Sequence, residues 1–225
     1  MYKHLAGKHN QQSHAGSNAL NVSLDMAHTI SLIPINPLLG RARFDSNGMN
    51  WNSIRFENSV CVLSSTNDKA NPVYNELHVN NGGTGPVDEF DAAIDYAKQV
   101  GDLVGLKKIK VECYSVDQLP LMLKHGCNIY YKKVKESIIR NMGGGGVLPL
   151  LTVEQSFKQN IAQALLLKGK PTDEITVGRL ADKAIKDAES TPDIVPFSQL
   201  NIYGTFQARR VLAEGRTVVF YADVK

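Results

Sequence analysis

No run in this 225-residue chain approaches the ~18 to 20 consecutive apolar residues that a membrane-spanning helix requires. The most apolar early segment, Ile30 to Leu39, is broken by Pro34 and Pro37. Met1-Tyr2-Lys3-His4 leads into polar sequence, so no secretory signal is expected. Cysteine is scarce and odd in number: Cys61, Cys113 and Cys127 match neither a zinc ribbon nor a CxxC spacing. Free thiols in a reducing compartment are the expectation. An excess of charge is also missing. The formal net charge is +3, too small to argue for nucleic-acid binding by itself. No internal repeat is present. These absences point to a protein kept in a cytosol, or inside something assembled there.

What is present is an ordinary globular composition, with 43% hydrophobic and 21% charged residues. The length suffices for one large or two small domains. Between residues 26 and 80 the chain reads as strands and turns. Trp51, Ile54 and Phe56 are candidate inward residues there, and strands are expected at Ser59–Ser64 and Tyr74–Val79. Residues 86–104 predict the clearest helix, with Val87, Phe90, Ile94, Ala97, Gly101 and Val104 on one face. Pro86 suits a helix start, and Asp88, Glu89 and Asp91 suit the positive end of its dipole. Lys107–Cys113 alternates as a strand. Ser115 caps a short helix through Lys124, and Asn128–Val134 predicts a further strand. Gly143–Gly146 reads as a linker and a domain boundary. Beyond it, helices are expected at Thr152–Leu167, Glu174–Ala188 and Gly204–Ala213, then a strand at Arg216–Val224. Their expected inward residues are Val153, Phe157, Ile161, Ala164 and Leu165 on the first, and Ile175, Leu180, Ala184 and Ile185 on the second.

Asn80-Asn81-Gly82-Gly83-Thr84-Gly85 follows a strand and opens the best helix. Glycines there let backbone amides approach a phosphate, and a helix N-terminus adds partial positive charge. The stretch from Tyr74 to about Tyr131 resembles the core of the GNAT acetyltransferase superfamily. Asn80-x-x-Gly83-x-Gly85 falls on that family's pyrophosphate loop. The resemblance implies a GNAT-like mixed sheet with flanking helices, and acetyl-coenzyme A held by Asn80, Gly82, Gly83, Thr84 and Gly85. The departures are specific. Asn80 stands where the family has Gln or Arg. Pro86 removes an amide donor. Asp88 and Glu89 put negative charge beside the place for the pyrophosphate. Met122 occupies the position of the family's frequent general-acid tyrosine. If the chain is active, Glu76 or His78 is the candidate base, through a water, and Tyr114 or Tyr130 the candidate acid. Equally, His78 reads as an ordinary strand histidine and the tyrosines as packing residues.

Residues 1–24 are rich in His, Gln, Asn, Ser and Gly, a composition too polar to offset the entropy of ordering. Their string Lys3-His4-Leu5-x-Gly7-Lys8-His9-Asn10-Gln11-x-x-His14-Ala15-Gly16 resembles a short segment of tailed-phage structural and head-morphogenesis proteins. Read as a docking peptide, it offers Lys3, His4, Leu5, Lys8, His9, Gln11 and His14 to a neighbouring subunit. Read as a metal site, His4, His9 and His14 would converge, although zinc prefers tighter ligand spacing. A tail without consequence is the third reading.

The expected fold class is therefore α/β or α+β. Its parts are an extended arm at 1–24, a GNAT-like core at 25–142, a glycine linker at 143–146, and a mostly helical region at 147–225 ending in a strand. The leading functional expectation is a bacteriophage virion structural protein of the head, connector or decoration layer, assembled in the host cytoplasm. Its partners would be other phage structural proteins and copies of itself, with no cofactor, no membrane and no specific nucleic acid. The alternative is a phage-encoded N-acetyltransferase using acetyl-CoA.

Overall fold

The computed structural model describes residues 29–46, 51–65, 73–142 and 151–225. The arm and the four-glycine run lie outside them. The described chain is mixed α/β, with strands paired both parallel and antiparallel. It divides into two compact units, one running to Val111 and including 222–225, the other spanning Glu112–Tyr221.

The first unit begins with a 3-10 turn at Pro37–Leu39, capped by the Asn36 side chain. An antiparallel meander follows: β1 (Arg43–Ser46), β2 (Trp51–Arg55), β3 (Val60–Ser65) and β4 (Tyr74–Asn80). Alternation then drives each strand's apolar set to one side. Ile54, Cys61, Leu63, Leu77 and Val79 are buried. Helix α1 (Val87–Leu103) packs on this face and carries the chain to β5 (Lys108–Cys113), which runs parallel to β4. The inward face of α1 is broader than the expected stripe. Phe90, Ile94, Ala97 and Gly101 are buried as expected, and Ala93, Tyr96 and Val100 join them, while Val87 is exposed. Tyr96 packs edge-on against Phe56, with ring centroids 5.2 Å apart. Gly101 lets the helix approach closely: a Cβ there would lie 3.0 Å from Val224 Cγ2 and 3.1 Å from Ile109 Cγ2.

In the second unit Ser115 stands at the N-cap of a 3-10 turn that leads into α2 (Leu119–Lys124). Gln118 Oε1 accepts from the amides of Tyr114 and Ser115, at 2.7 and 3.3 Å. Strand β6 (Asn128–Tyr130) is shorter than expected, because helix α3 (Tyr131–Met142) begins where the strand was predicted to continue. Tyr131 and Val134, both buried, are three apart and share a helical face. Helix α4 (Val153–Leu167) opens with a capping box between Thr152 and Gln155. Helix α5 (Glu174–Glu189) is capped by Asp173. The expected inward faces of these two helices shift. On α4 only Phe157 is buried, and on α5 the buried set is Val177, Ala181, Ala184 and Ala188, with Ile175 and Leu180 exposed. The unit closes with β7 (Ile194–Pro196), α6 (Ile202–Ala213) and β8 (Val218–Asp223). β6 pairs antiparallel with both β7 and β8. Among the described residues, no helix is long and apolar enough to cross a membrane.

Candidate functional site

The glycine turn joins β4 to α1. Gly82 and Gly83 have φ of 63° and 78°, the left-handed region that side chains with a Cβ avoid. Asn81 is buried, and its side chain closes the turn: Oδ1 accepts from the Gly83 amide at 3.0 Å, and Nδ2 donates to the Gly85 carbonyl at 3.3 Å. Gly85 is glycine for lack of room, since a Cβ there would lie 2.6 Å from Asn58 Cβ. At the helix start Pro86 has no amide proton, and the Glu89 amide donates to Asp88 Oδ1 at 3.0 Å. Glu89 itself is only 4% exposed. Its carboxylate accepts from the Asn58 amide at 3.0 Å and from Asn58 Nδ2 at 2.6 Å. The positive end of the helix dipole thus faces a buried carboxylate supplied by the chain itself. Two of the amides that a pyrophosphate would use, those of Gly83 and Glu89, already donate internally.

Glu76, His78 and Lys110 form a charged group on β4 and β5. Glu76 Oε1 lies 3.9 Å from His78 Nδ1 and 3.9 Å from Lys110 Nζ, and His78 and Lys110 are register partners across the parallel pair. The carboxylate is half-exposed, and the two cationic side chains are more covered. Such a group can relay a proton through water; it also serves as a cross-strand ion-pair ladder. Tyr114 belongs to the second unit, where its hydroxyl donates to Glu112 Oε2 at 3.1 Å. Tyr130 packs against Tyr221 with ring centroids 6.3 Å apart. Met122 is fully buried in α2.

Sequence reasoning passed over an apolar groove of about 990 Å³ in the second unit. Phe157, Ile161, Leu165, Leu180, Ile202 and Phe206 line it, with Lys168 and Arg209 among its polar residues. Phe157 forms its floor, 4.7 Å from the Tyr203 ring and 5.3 Å from that of Phe206. Arg210 is held by Glu214 Oε1 at 3.0 Å and Ser156 Oγ at 2.8 Å. The available signal was the apolar face of α4, which contains more large residues than its neighbours cover.

The three cysteines are free and buried. Burial pushes the Cys61 and Cys113 thiols up to about 12. They therefore lack the thiolate character that nucleophilic chemistry needs. Among the described residues no cluster of His, Cys, Asp or Glu is arranged to hold a metal ion. His4, His9 and His14, with Lys3, Leu5, Lys8 and Gln11, lie outside those residues. Comparison with family models, curated proteins and solved structures finds no match.

Proposed function

We propose that this chain is a non-catalytic structural subunit of a bacteriophage particle, in its head, connector or decoration layer, that binds neighbouring subunits through extended termini. One observation carries the non-catalytic part: the buried Glu89 carboxylate occupies the helix start where a pyrophosphate would need positive field. The Asn81 bonds that close the glycine turn support the same reading. The wording of the N-terminal string, Lys3 to Gly16, supports the phage setting. Quantitative mass spectrometry of gradient-purified particles tests it. A fixed ratio to the major capsid protein is expected, and absence from particles would overturn it.

A second reading has its own support in the parallel β4–β5 pair flanking the glycine turn and α1, with Glu76, His78 and Lys110 beside it. It is an N-acetyltransferase using acetyl-CoA, with Asn80, Gly82, Gly83, Thr84 and Gly85 around the cofactor and Glu76 or His78 as base. Calorimetric titration with acetyl-CoA separates the two. Saturable binding lost in Gly83→Glu favours transfer chemistry, and a flat titration favours the structural subunit.

A further inference from the structure

The connection between α4 and α5 is exposed without interruption from Leu166 through Ile175. Exposed loops are ordinarily polar, yet this one carries Leu166, Leu167 and Ile175, with Leu167 82% and Ile175 83% exposed. Its residues also follow a mirrored order about Pro171. Three positions to either side stand Lys168 and Glu174; four positions to either side stand Leu167 and Ile175. Two antiparallel copies of this segment crossing at Pro171 would set each Lys168 against the other copy's Glu174 and each Leu167 against the other's Ile175. That self-complementarity is what an isologous twofold contact requires: residue i meets j, and j meets i. Asp173 does not compete for Lys168, since its carboxylate caps α5 by accepting from the Thr176 amide at 2.8 Å.

We propose that the α4–α5 tip is a twofold interface between two copies of this chain, with Lys168–Glu174 ion pairs flanking a Leu167–Ile175 contact. A stable interface buries ~800 Å² per partner, more than a ten-residue tip supplies. The contact therefore extends over the adjoining end of the apolar groove, where Leu180 is exposed. The occupant is a second copy rather than the N-terminal string. That string is cationic, and so is this groove end, at Lys168. A contact of this size is weak in dilute solution and gains from the high local concentration of an assembly. The inference deepens the reading of the chain as an assembling subunit and takes its purpose from that reading.

Sedimentation of the purified full chain tests it, from about 1 to about 300 μM, a range that brackets the affinity of a small interface. A reversible dimer is expected. Lys168→Glu and Glu174→Lys should each weaken it about tenfold, because both symmetry-related pairs become repulsive. The double variant K168E/E174K rebuilds both pairs in reverse and should return to within about threefold of the parent. Leu167→Asp should abolish dimerisation while leaving the far-UV circular dichroism unchanged. Pro171→Cys, near the axis, should form a symmetric disulfide on mild oxidation, because the native thiols are buried. A chain that stays monomeric throughout, or a double variant no better than the singles, overturns the interface. A dimer formed by a chain absent from phage particles would keep the interface and remove the virion role. A monomer present in particles would do the reverse.

Discussion

Glu89 is the residue on which the reading of the glycine turn depends, and its replacement gives the sharpest test. Glu89→Ala removes the acceptor of two hydrogen bonds from Asn58, at 3.0 and 2.6 Å, and leaves a backbone amide and a side-chain amide facing an apolar pocket. A hydrogen bond to a charged group contributes ~1.5–3 kcal/mol, and stranding a buried donor costs ~1–3 kcal/mol. The favourable carboxylate at the helix start contributes a further ~0.3–1 kcal/mol. These contributions overlap, so the expected loss is about 3 kcal/mol, a large share of the ~5–15 kcal/mol typical of a domain. Glu89→Gln keeps one acceptor but turns an amide group towards the second Asn58 donor, and should cost about 2 kcal/mol. Asn58→Ala combined with Glu89→Ala should show a coupling of ~1–2 kcal/mol, because the pair shares its bonds. Urea unfolding followed by circular dichroism measures all four proteins. A Glu89→Ala variant within about 0.5 kcal/mol of the parent would behave like a surface substitution. The carboxylate would then not be a structural element of the turn.

Other outcomes follow from the same coordinates. Gly85→Ala should destabilise by ~1–3 kcal/mol, since the new methyl meets Asn58 Cβ at 2.6 Å, and thermal denaturation reads it. Phe157→Ala should cost ~3–4 kcal/mol by opening a cavity beneath Tyr203 and Phe206, and should also lower the cooperativity of unfolding in the second unit. The thiols of Cys61 and Cys113 and the Tyr96 phenol are each raised to about 12 by burial, from 9.0, 9.0 and 10.0. In the folded state all three hold their protons where the unfolded chain releases them. Their stabilisation is complete below pH 9 and is lost as pH rises towards 12. Urea midpoints should therefore fall between pH 9 and 11, and Cys61→Ala should flatten that fall. The native protein should give almost no rapid reaction with a thiol reagent at pH 8, and three thiols after denaturation. Asp173, whose carboxyl is held below its ordinary value by the Thr176 hydroxyl and amide, should release the start of α5 as pH falls through its folded-state value. Amide exchange near Thr176 would show this.

Where one period dominated, the elements were legible in the sequence. Residues 86–104 recur at three and four and form α1, while Lys107–Cys113 alternates and forms β5. The capping signals at Thr152 and Ser115 were readable because they are local, each requiring only a residue three positions on. The errors have identifiable causes. Ile129 and Tyr131 fit an alternating pattern, and Tyr131 and Val134 fit a helical one; the helix won from Tyr131 onward. β7 is three residues long and ends in Pro196, so it carried no strand signal. Ile175 and Leu180 were assigned inward on size, yet α5 buries its alanines, because small residues allow the close approach of packed helices.

The candidate site divides along the same line. The sequence alone determined that a glycine turn links a strand to a helix whose first turn is acidic, since those facts are contiguous in the chain. It also determined the mirrored order about Pro171, which is a property of ten successive residues. The tertiary structure alone decided what the turn does. Asn58 lies 31 residues from Glu89 and meets it only because β2 and β3 turn back beside α1. Likewise, Phe157 and Phe206 line one groove across about fifty residues of chain. Local periodicity specifies which side of an element is apolar. Which apolar sides find partners, and which stay open to a second molecule, depends on contacts between residues far apart in the chain, and no short window of sequence contains both ends of such a contact.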